Sequence, residues 1–361
     1  MVNKSFVASA IAVALMAAMP EVARTQEAWN KVVAEAKKEG TVVVNGPSIR
    51  DLSQGMVEAV KKAHGINVEY LGLGVEIITR IEREALAKKT SIDVYLGGTR
   101  SLLTFMDKNL VEPVDNKLLL AEVKDPAKWR GGKLKWVDAK GRFGLQTSEW
   151  VMTDLFVNTT RVKTEQISSW KDLLKPEWKG KIGGFDPRIG GAGQAVARYL
   201  VHQFGDDFVV RLYKGQEVTL SRDHRQVAEW VARGTYPIVL GSVQSMIEMF
   251  RKEGFPIVRV FPKDGPGSLL GGFSTISIIK DAPHPNAATT LVNWFASKEG
   301  QELYARTVLE PSRRTDVSSN LVPDYVIPQP GVKYEMDQYT EDWQREVAPK
   351  LEERLQKALG R

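Results

Sequence analysis

The residues best suited to chemistry form a glycine-rich segment, Gly190-Gly191-Ala192-Gly193, just before a predicted helix. The first N–H groups of a helix have no partner within it, and the helix dipole makes that end positive. A carboxylate, phosphonate or phosphate is attracted to such an end. Arg188 stands beside it and adds a guanidinium. We therefore predict that Arg188, Gly190, Gly191 and Gly193 contact an anion, although such a turn can also serve close packing alone.

A similar chemistry follows two predicted strands nearer the N-terminus, Thr41–Val44 and Ile92–Leu96. The loops after them contain hydroxyls, glycines and arginines, and the planar guanidinium fork suits a carboxylate or phosphonate. In parallel α/β sheets ligands bind beyond the carboxyl ends of the strands. The candidate ligand-binding residues in these loops are Ser48, Arg50, Gly98, Thr99 and Arg100.

Four further candidates lie at the ends of predicted elements: Trp150, Arg222, Ser242 and Gln244. Trp150 begins an apolar run, Trp150–Asn158, that we interpret as a crossing into a second domain. Arg222 precedes Asp223, a predicted helix N-cap, and His224, which we expect to be solvated. Ser242 and Gln244 follow the buried-type strand Pro237–Leu240 and offer neutral hydrogen bonds.

Enzyme and metal sites find no support in the sequence. There is no Cys, and the four His residues show no metal-ligand spacing. No G-x-S-x-G, H-E-x-x-H or Walker-type lysine loop occurs. We therefore predict no catalytic residue, no metal and no cofactor.

The N-terminus predicts export. Lys4 precedes an apolar run, Phe6–Met19, that is too short to span a bilayer and typical of a signal peptide, which we assign to residues 1–25. Without Cys there is no lipid anchor, so we expect a soluble periplasmic protein. The net charge is +6, but basic and acidic residues are interleaved, which argues against a nucleic-acid surface.

Helix and strand signals alternate along the chain, which predicts an α/β fold of two doubly wound domains. We expect lobe 1 to contain residues 26–148 and 264–361, and lobe 2 to contain residues 149–263. The return crossing is predicted at Ile257–Phe261, before a turn cluster. Two domains joined by crossing strands would form a hinge and a ligand cleft that closes on the solute.

Three segments carry a family resemblance: AWNKVVAEAKKEGTVVV, WKDLLKPEWKGKIGGFDP with the following RIGGAGQ, and DAPHPNAATTLVNWFASKEGQELY. Together they resemble the extracellular solute-binding proteins of ABC importers, in the ferric-binding-protein-like group. The resemblance implies a two-lobed periplasmic binding protein, a small-molecule solute, a membrane permease as partner and a monomeric state.

The same resemblance bears on the ligand. By motif position the ferric-binding Tyr pair falls on Val243 and Gln244, the His near Ser48 and the Glu near Gly97. These residues cannot supply the anionic oxygens that Fe³⁺ needs, so we predict a small organic anion: a carboxylate, phosphonate or phosphate ester. Two alternatives stay open, a ferric or iron-complex binder using a synergistic anion, and an enzyme or sensor module on the same fold.

Overall fold

A computed structural model describes residues 21–74, 76–152, 154–189, 191–265, 267–334, 338 and 340–360. Most of the predicted signal peptide, including Phe6–Met19, lies outside the described residues, as does the candidate Gly190. Within the described part, no helix combines the length and apolar composition needed to cross a bilayer.

The helices are α1 (Glu21–Glu39), α2 (Arg50–His64), α3 (Glu76–Leu86), α4 (Thr99–Asp107), α5 (Ala121–Lys124), α6 (Ala192–Val210), α7 (His224–Arg233), α8 (Gln244–Lys252), α9 (Pro285–Ala296), α10 (Lys298–Val308) and α11 (Ala348–Leu359). The strands are β1 (Thr41–Asn45), β2 (Asn67–Leu71), β3 (Val94–Gly97), β4 (Val111–Glu112), β5 (Lys135–Trp136), β6 (Leu145–Gln146), β7 (Trp150–Met152), β8 (Leu155–Asn158), β9 (Ile182–Phe185), β10 (Thr219–Ser221), β11 (Ile238–Leu240), β12 (Ile257–Arg259), β13 (Ser268–Leu270) and β14 (Thr275–Ile279).

The described residues divide into two compact units. Unit 1 holds those up to Ser148, with Gly272–Thr307 and Ser312–Ser318. Unit 2 holds Glu149–Gly271, Val308–Pro311 and the described residues from Ser319 onward.

Unit 1 is built on a mixed sheet of order β2-β1-β3-β14-β6-β5, with β4 also paired to β14. β1 runs parallel to β2 and β3, whereas β14 is antiparallel to β3. Val43 and Tyr95 from the strands pack with Ile77 of α3 and Leu102 of α4 in one apolar cluster. α9 also packs on β1, β3 and β14, so helices bury the apolar strand residues.

Unit 2 has its own sheet, of order β10-β9-β11-β8-β12. Successive residues of a strand point to opposite faces. Ile238 and Leu240 accordingly share one apolar cluster with Tyr199 of α6, whereas Val239 lies in another with Val231 of α7. Both faces of this sheet are therefore covered by helices, as expected for a doubly wound α/β domain. The predicted α/β fold class is confirmed.

The crossings differ from the prediction. The run Trp150–Asn158 is two strands, β7 and β8, because the backbone turns at Asp154 with φ of 45°. Ile257–Phe261 is not the return crossing, since β12 pairs with β8 inside the unit 2 sheet. The chain instead leaves unit 2 after β13, which pairs antiparallel with β7.

The C-terminal tail corrects the predicted lobe assignment. We placed residues 264–361 in lobe 1, but the described residues from Ser319 onward belong to unit 2. The reason is apolar burial: Leu351 and Leu355 of α11 share a cluster with Tyr199 and Leu200 of α6. Arg198 Nη1 also donates to Glu352 Oε1 at 2.9 Å.

Candidate functional site

In unit 1, the predicted ligand loops meet at one edge of the sheet. β1 and β3 are parallel neighbours, with Val44 opposite Val94 and Asn45 opposite Tyr95. The carboxyl ends of both strands therefore point to the same edge, which brings the loop after Asn45 close to the loop after Gly97.

Two tyrosines hold these loops, the half-buried Tyr70 and the buried Tyr95, and the sequence analysis missed both. The Tyr70 hydroxyl donates to the Pro47 carbonyl at 2.9 Å, and the Tyr95 hydroxyl donates to the Gly98 carbonyl at 3.2 Å. A Cβ on Gly46 would lie 2.1 Å from the Tyr70 hydroxyl oxygen, and one on Gly97 would lie 2.2 Å from that of Tyr95. These glycines are needed because the phenols pack against their α-carbons.

The phenols of these tyrosines act as donors. Burial raises the pKa of Tyr70 well above its ordinary range. Burial also raises the pKa of Tyr95 to about 12, although hydrogen bonds with Ser101 and Gly98 lower it in part. Both hydroxyls keep their protons at neutral pH, which suits donation to a carbonyl.

The unit 1 candidates take different positions. Ser48 is exposed in the loop, whereas Arg50 is the first residue of α2 and Arg100 lies in the first turn of α4, both exposed. Gly98 is the N-cap of α4. Thr99 is buried, and its Oγ1 has no hydrogen-bond partner among the described residues. Arg50, Thr99 and Arg100 are thus helical, whereas the sequence analysis placed them in loops.

In unit 2, three loops meet at the carboxyl ends of parallel strands. β9 lies between β10 and β11 and is parallel to both. The Asp186 N–H, just after β9, donates to the Ser221 carbonyl at the end of β10, at 2.8 Å. Gly241, just after β11, packs against Gly193. The sheet therefore brings together the candidates Arg188, Gly191, Gly193, Arg222, Ser242 and Gln244.

The arginines of this cluster bind a buried carboxylate that the sequence analysis did not single out. Arg188 donates Nε to Asp186 Oδ1 at 2.8 Å and Nη2 to Oδ2 at 3.0 Å. Arg222 Nε donates to Asp186 Oδ2 at 3.4 Å. Burial favours the neutral acid, but the bonds from Arg188 and Arg222 outweigh it and hold the pKa of Asp186 below its ordinary range. Two guanidiniums on one carboxylate leave a net positive charge.

The glycines beside it serve both backbone conformation and packing. Gly191, the N-cap of α6, has φ of 119°, which side chains disfavour. A Cβ on Gly193 would lie 2.3 Å from the Phe185 carbonyl oxygen, and one on Gly241 would lie 2.5 Å from the Gly193 Cα. The close-packing reason that the sequence left open for these glycines therefore applies to Gly193.

His224 is not the solvated residue that we expected. Its ring stacks on Phe185 with centroids 3.7 Å apart and planes 8° apart, and it is half-buried. Burial lowers the pKa of His224, only partly opposed by Asp223, so the ring is neutral at neutral pH. The predicted N-cap is confirmed, since the Asp223 carboxylate accepts from the Arg225 and Gln226 N–H groups.

The remaining candidates are more buried than the sequence suggested. The Ser242 side chain is fully buried, and its Oγ has no hydrogen-bond partner among the described residues. Gln244 is the first residue of α8, a helix that we had not predicted, and its amide Nε2 donates to the Leu309 carbonyl at 2.6 Å. Trp150 is half-buried at the start of β7 and packs against the unit 2 core.

Helix starts at these edges share one feature. The N-caps of α2, α4, α6 and α8 are Ile49, Gly98, Gly191 and Val243, and none of these N-cap residues accepts a hydrogen bond through its side chain. Each helix follows a strand of a parallel pair. Their first N–H groups thus lack the side-chain acceptor that Asp223 supplies to α7.

The described residues contain no group of three or more His, Asp and Glu side chains placed to hold a metal ion. Of the positions matching the ferric ligands, Ser48 lies in a loop, Gly97 ends β3, Val243 is the N-cap of α8 and Gln244 is its first residue.

Comparison with known proteins gives a family match and a common fold. The family model for bacterial extracellular solute-binding proteins matches residues 55–320. An uncharacterized protein of Haemophilus influenzae is 26% identical over 288 residues, which cover 75% of this chain and 77% of the relative.

Two solved structures illustrate the fold. The periplasmic binding protein AfuA from Actinobacillus pleuropneumoniae, with fructose-6-phosphate bound, is 20% identical, with a TM-score of 0.64 over 88% of this chain and 97% of its own. Iron-bound HitA from Pseudomonas aeruginosa is 16% identical, with a TM-score of 0.64 over 87% and 99%. At these identities the likeness shows the fold alone, and it confirms the predicted periplasmic-binding-protein architecture.

Proposed function

The chain belongs to the family of bacterial extracellular solute-binding proteins, and from that premise we propose that it captures a small organic anion and delivers it to an ABC importer. The predicted resemblance to this family is thereby confirmed. Membership of the family does not determine which solute is bound, so the proposal concerns the chemical class of the solute.

The observation that carries the proposal is the set of uncapped helix starts. α2 and α4 in unit 1, and α6 and α8 in unit 2, begin without an N-cap side chain that accepts from their first N–H groups. Each of these ends is a donor site with partial positive charge. An anion satisfies these donors in the way that Asp223 satisfies those of α7.

Neighbouring side chains add to the same chemistry. Arg100 contributes a guanidinium in the first turn of α4, and the Asp186 cluster keeps a net positive charge beside the start of α6. The buried hydroxyls of Thr99 and Ser242 lie at the starts of α4 and α8 and have no partner within the described chain. These groups suit a carboxylate, phosphonate or phosphate ester that also carries neutral polar atoms.

Free ferric ion is a poorer match to these residues. Ser48, Gly97, Val243 and Gln244 offer no anionic oxygen, and the nearby phenols of Tyr70 and Tyr95 are held in the protonated form by burial. We therefore favour the organic anion over an iron complex. Export to the periplasm, a monomeric state and lobe closure on binding stay predictions.

A thermal-shift screen tests the proposal. Purified mature protein is heated with citrate, phosphonoacetate, glycerol 3-phosphate, glucose, spermidine or ferric chloride. A ligand that binds only the folded state stabilises it by ~2.7 kcal/mol at a hundredfold excess over Kd. We expect a rise in Tm with at least one anion and none with glucose or spermidine. Stabilisation by spermidine or glucose alone would contradict an anionic solute.

A further inference from the structure

A groove lies at the opposite edge of the unit 1 sheet from the predicted solute loops. It lies where β3 begins and β14 ends, and the Ile279 N–H donates to the Asp93 carbonyl there at 2.9 Å. β3 spans four residues, so at ~3.3 Å per residue the two edges are ~13 Å apart. The groove has a volume of about 690 Å³, within the range of small-molecule sites.

The floor of the groove is apolar. Ile81 of α3 and Ile279 of β14 are each 2% exposed, and Leu110, between α4 and β4, is half-buried. The floor therefore offers an apolar surface for an aliphatic group.

The rim of the groove is cationic. Lys88, Lys89 and Lys280 line it, and none of the three forms an ion pair with any residue that the structure describes. Lys108 also lines it but is paired with Glu82 at 2.7 Å.

Two carboxylates belong to the same lining. Glu84 accepts from Arg80, the Ser91 N–H and the Ser91 hydroxyl, so its charge is matched locally. Asp281 is exposed on the rim. Three unpaired lysines against one exposed carboxylate leave the groove net positive.

Backbone conformation singles out the same place. Lys88, Asn109 and Asp281 each have a left-handed backbone, with φ of 52°, 54° and 57°. Asn and Asp tolerate this region, but a long side chain such as Lys is disfavoured there. Strain of this kind is concentrated at ligand sites. Here the strained Lys88 and the two left-handed residues that tolerate this conformation, Asn109 and Asp281, line one groove.

We propose that this groove binds an amphiphilic organic anion, with its aliphatic chain on Ile81, Leu110 and Ile279 and its carboxylate or phosphate head among Lys88, Lys89 and Lys280. Thr90 and Asn109, which also line the groove, add neutral polar groups. A free fatty carboxylate and an anionic lipid head group share this chemistry. The site is separate from the solute loops, so both can be occupied together.

Calorimetry on the full mature chain tests the site with octanoate, 1-octanol and acetate as probes. We expect octanoate to bind at least about tenfold tighter than 1-octanol, which lacks the charge, or acetate, which lacks the chain. The variant Lys88→Gln/Lys89→Gln/Lys280→Gln should weaken octanoate binding about tenfold or more. Lys62→Gln/Lys133→Gln/Lys252→Gln changes the net charge equally at exposed sites elsewhere and should leave binding unchanged.

Two further measurements separate the sources and the sites. The first is co-sedimentation with phosphatidylglycerol vesicles and with phosphatidylcholine vesicles. If the chain sediments only with phosphatidylglycerol, and the Lys88/Lys89/Lys280 variant does not, a lipid head group is the source of the anion. Octanoate binding that survives Arg100→Ala would separate the groove from the solute loops. The proposal would be overturned if octanoate bound the lysine variant and the native chain equally, or if its binding were lost only in Arg100→Ala. It would also be overturned if the native chain bound neither octanoate nor phosphatidylglycerol vesicles.

Discussion

The two predicted anion-binding regions differ in how their arginines and glycines are used. In unit 1, Arg100 extends from the first turn of α4 as an exposed side chain, and tyrosine phenols hold the loops beneath it. In unit 2, Arg188 and Arg222 are bound to the buried Asp186, and the adjacent glycines pack against backbone.

This difference distinguishes arginines that can contact the solute from arginines that stabilise the fold. An arginine whose fork is occupied by an internal carboxylate positions a loop and supplies net charge, but it has fewer donors left for a solute. The Arg100 guanidinium is exposed beside the predicted solute loops of unit 1, so it can contact a solute directly. We therefore expect changes in unit 2 to affect stability first, and changes in unit 1 to affect binding first.

The largest effect is expected for Gly241→Ala in unit 2. The added Cβ would lie 2.5 Å from the Gly193 Cα, and φ at this position is 70°. Overpacking against backbone and a left-handed alanine together should lower the free energy of unfolding by ~3 kcal/mol. Urea denaturation measures it. Gly254→Ala is the matched control, because φ there is 89° but nothing lies within 4 Å; equal losses in both variants would show that the close approach contributes nothing.

The second-largest effect is expected for Arg100→Ala, which tests whether unit 1 contributes to solute binding. Loss of a hydrogen bond to a charged group should weaken binding of the anion found in the thermal-shift screen by ~1.5–3 kcal/mol. Because Arg100 is exposed, the free energy of unfolding should change by less than ~0.5 kcal/mol. Calorimetry and urea denaturation measure the two. Unchanged affinity would mean that the anion binds elsewhere.

A smaller effect is expected for Asp186→Asn. Arg188 is about one-third exposed and Arg222 mostly exposed, so solvent screens the lost charge and we expect ~1–2 kcal/mol of destabilisation at pH 7. Because the folded pKa of Asp186 is lowered, its contribution is complete above the unfolded pKa of ~3.8 and is lost as the pH falls below that value. Denaturation at pH 7 and pH 2.5 should show a smaller difference between variant and native chain at the lower pH.

The smallest expected effect is that of ferric citrate on the visible spectrum. We predict no tyrosinate-to-iron charge-transfer band, because the positions matching the ferric ligands lack anionic oxygens and Tyr70 and Tyr95 stay protonated. A visible band on titration would contradict this prediction, and Tyr70→Phe and Tyr95→Phe would then identify the phenol responsible.

The parts of the fold that depend on local patterns were predictable. Helical apolar spacing and turn residues predict helices at Arg225–Ala232 and Asn286–Ala296, each within one residue of the bounds of α7 and α9, and Asp223 is the N-cap that its position predicted. The loops after β1 and β3 come together because parallel strands impose it.

What the sequence could not supply depends on contacts between distant residues. Arg188 pairs with Asp186, only two residues away in the sequence. The burial of Asp186, however, depends on β10 lying beside β9. Tyr70 lies in β2 and Tyr95 in β3, and in the sequence each is one more residue of a predicted strand. Only the folded loops show that their hydroxyls donate to carbonyls. The tail was misplaced because an amphipathic pattern shows that a face is buried, not what it packs against.

The tail has a consequence for how the chain is made. Arg198 pairs with Glu352, 154 positions further along, and Leu351 and Leu355 complete the cluster around Tyr199. Unit 2 therefore cannot finish its core until the ribosome has synthesised these late residues, and contacts of such long range form slowly. The late completion of unit 2 is compatible with the predicted export, because a translocation channel admits a chain that has not yet folded.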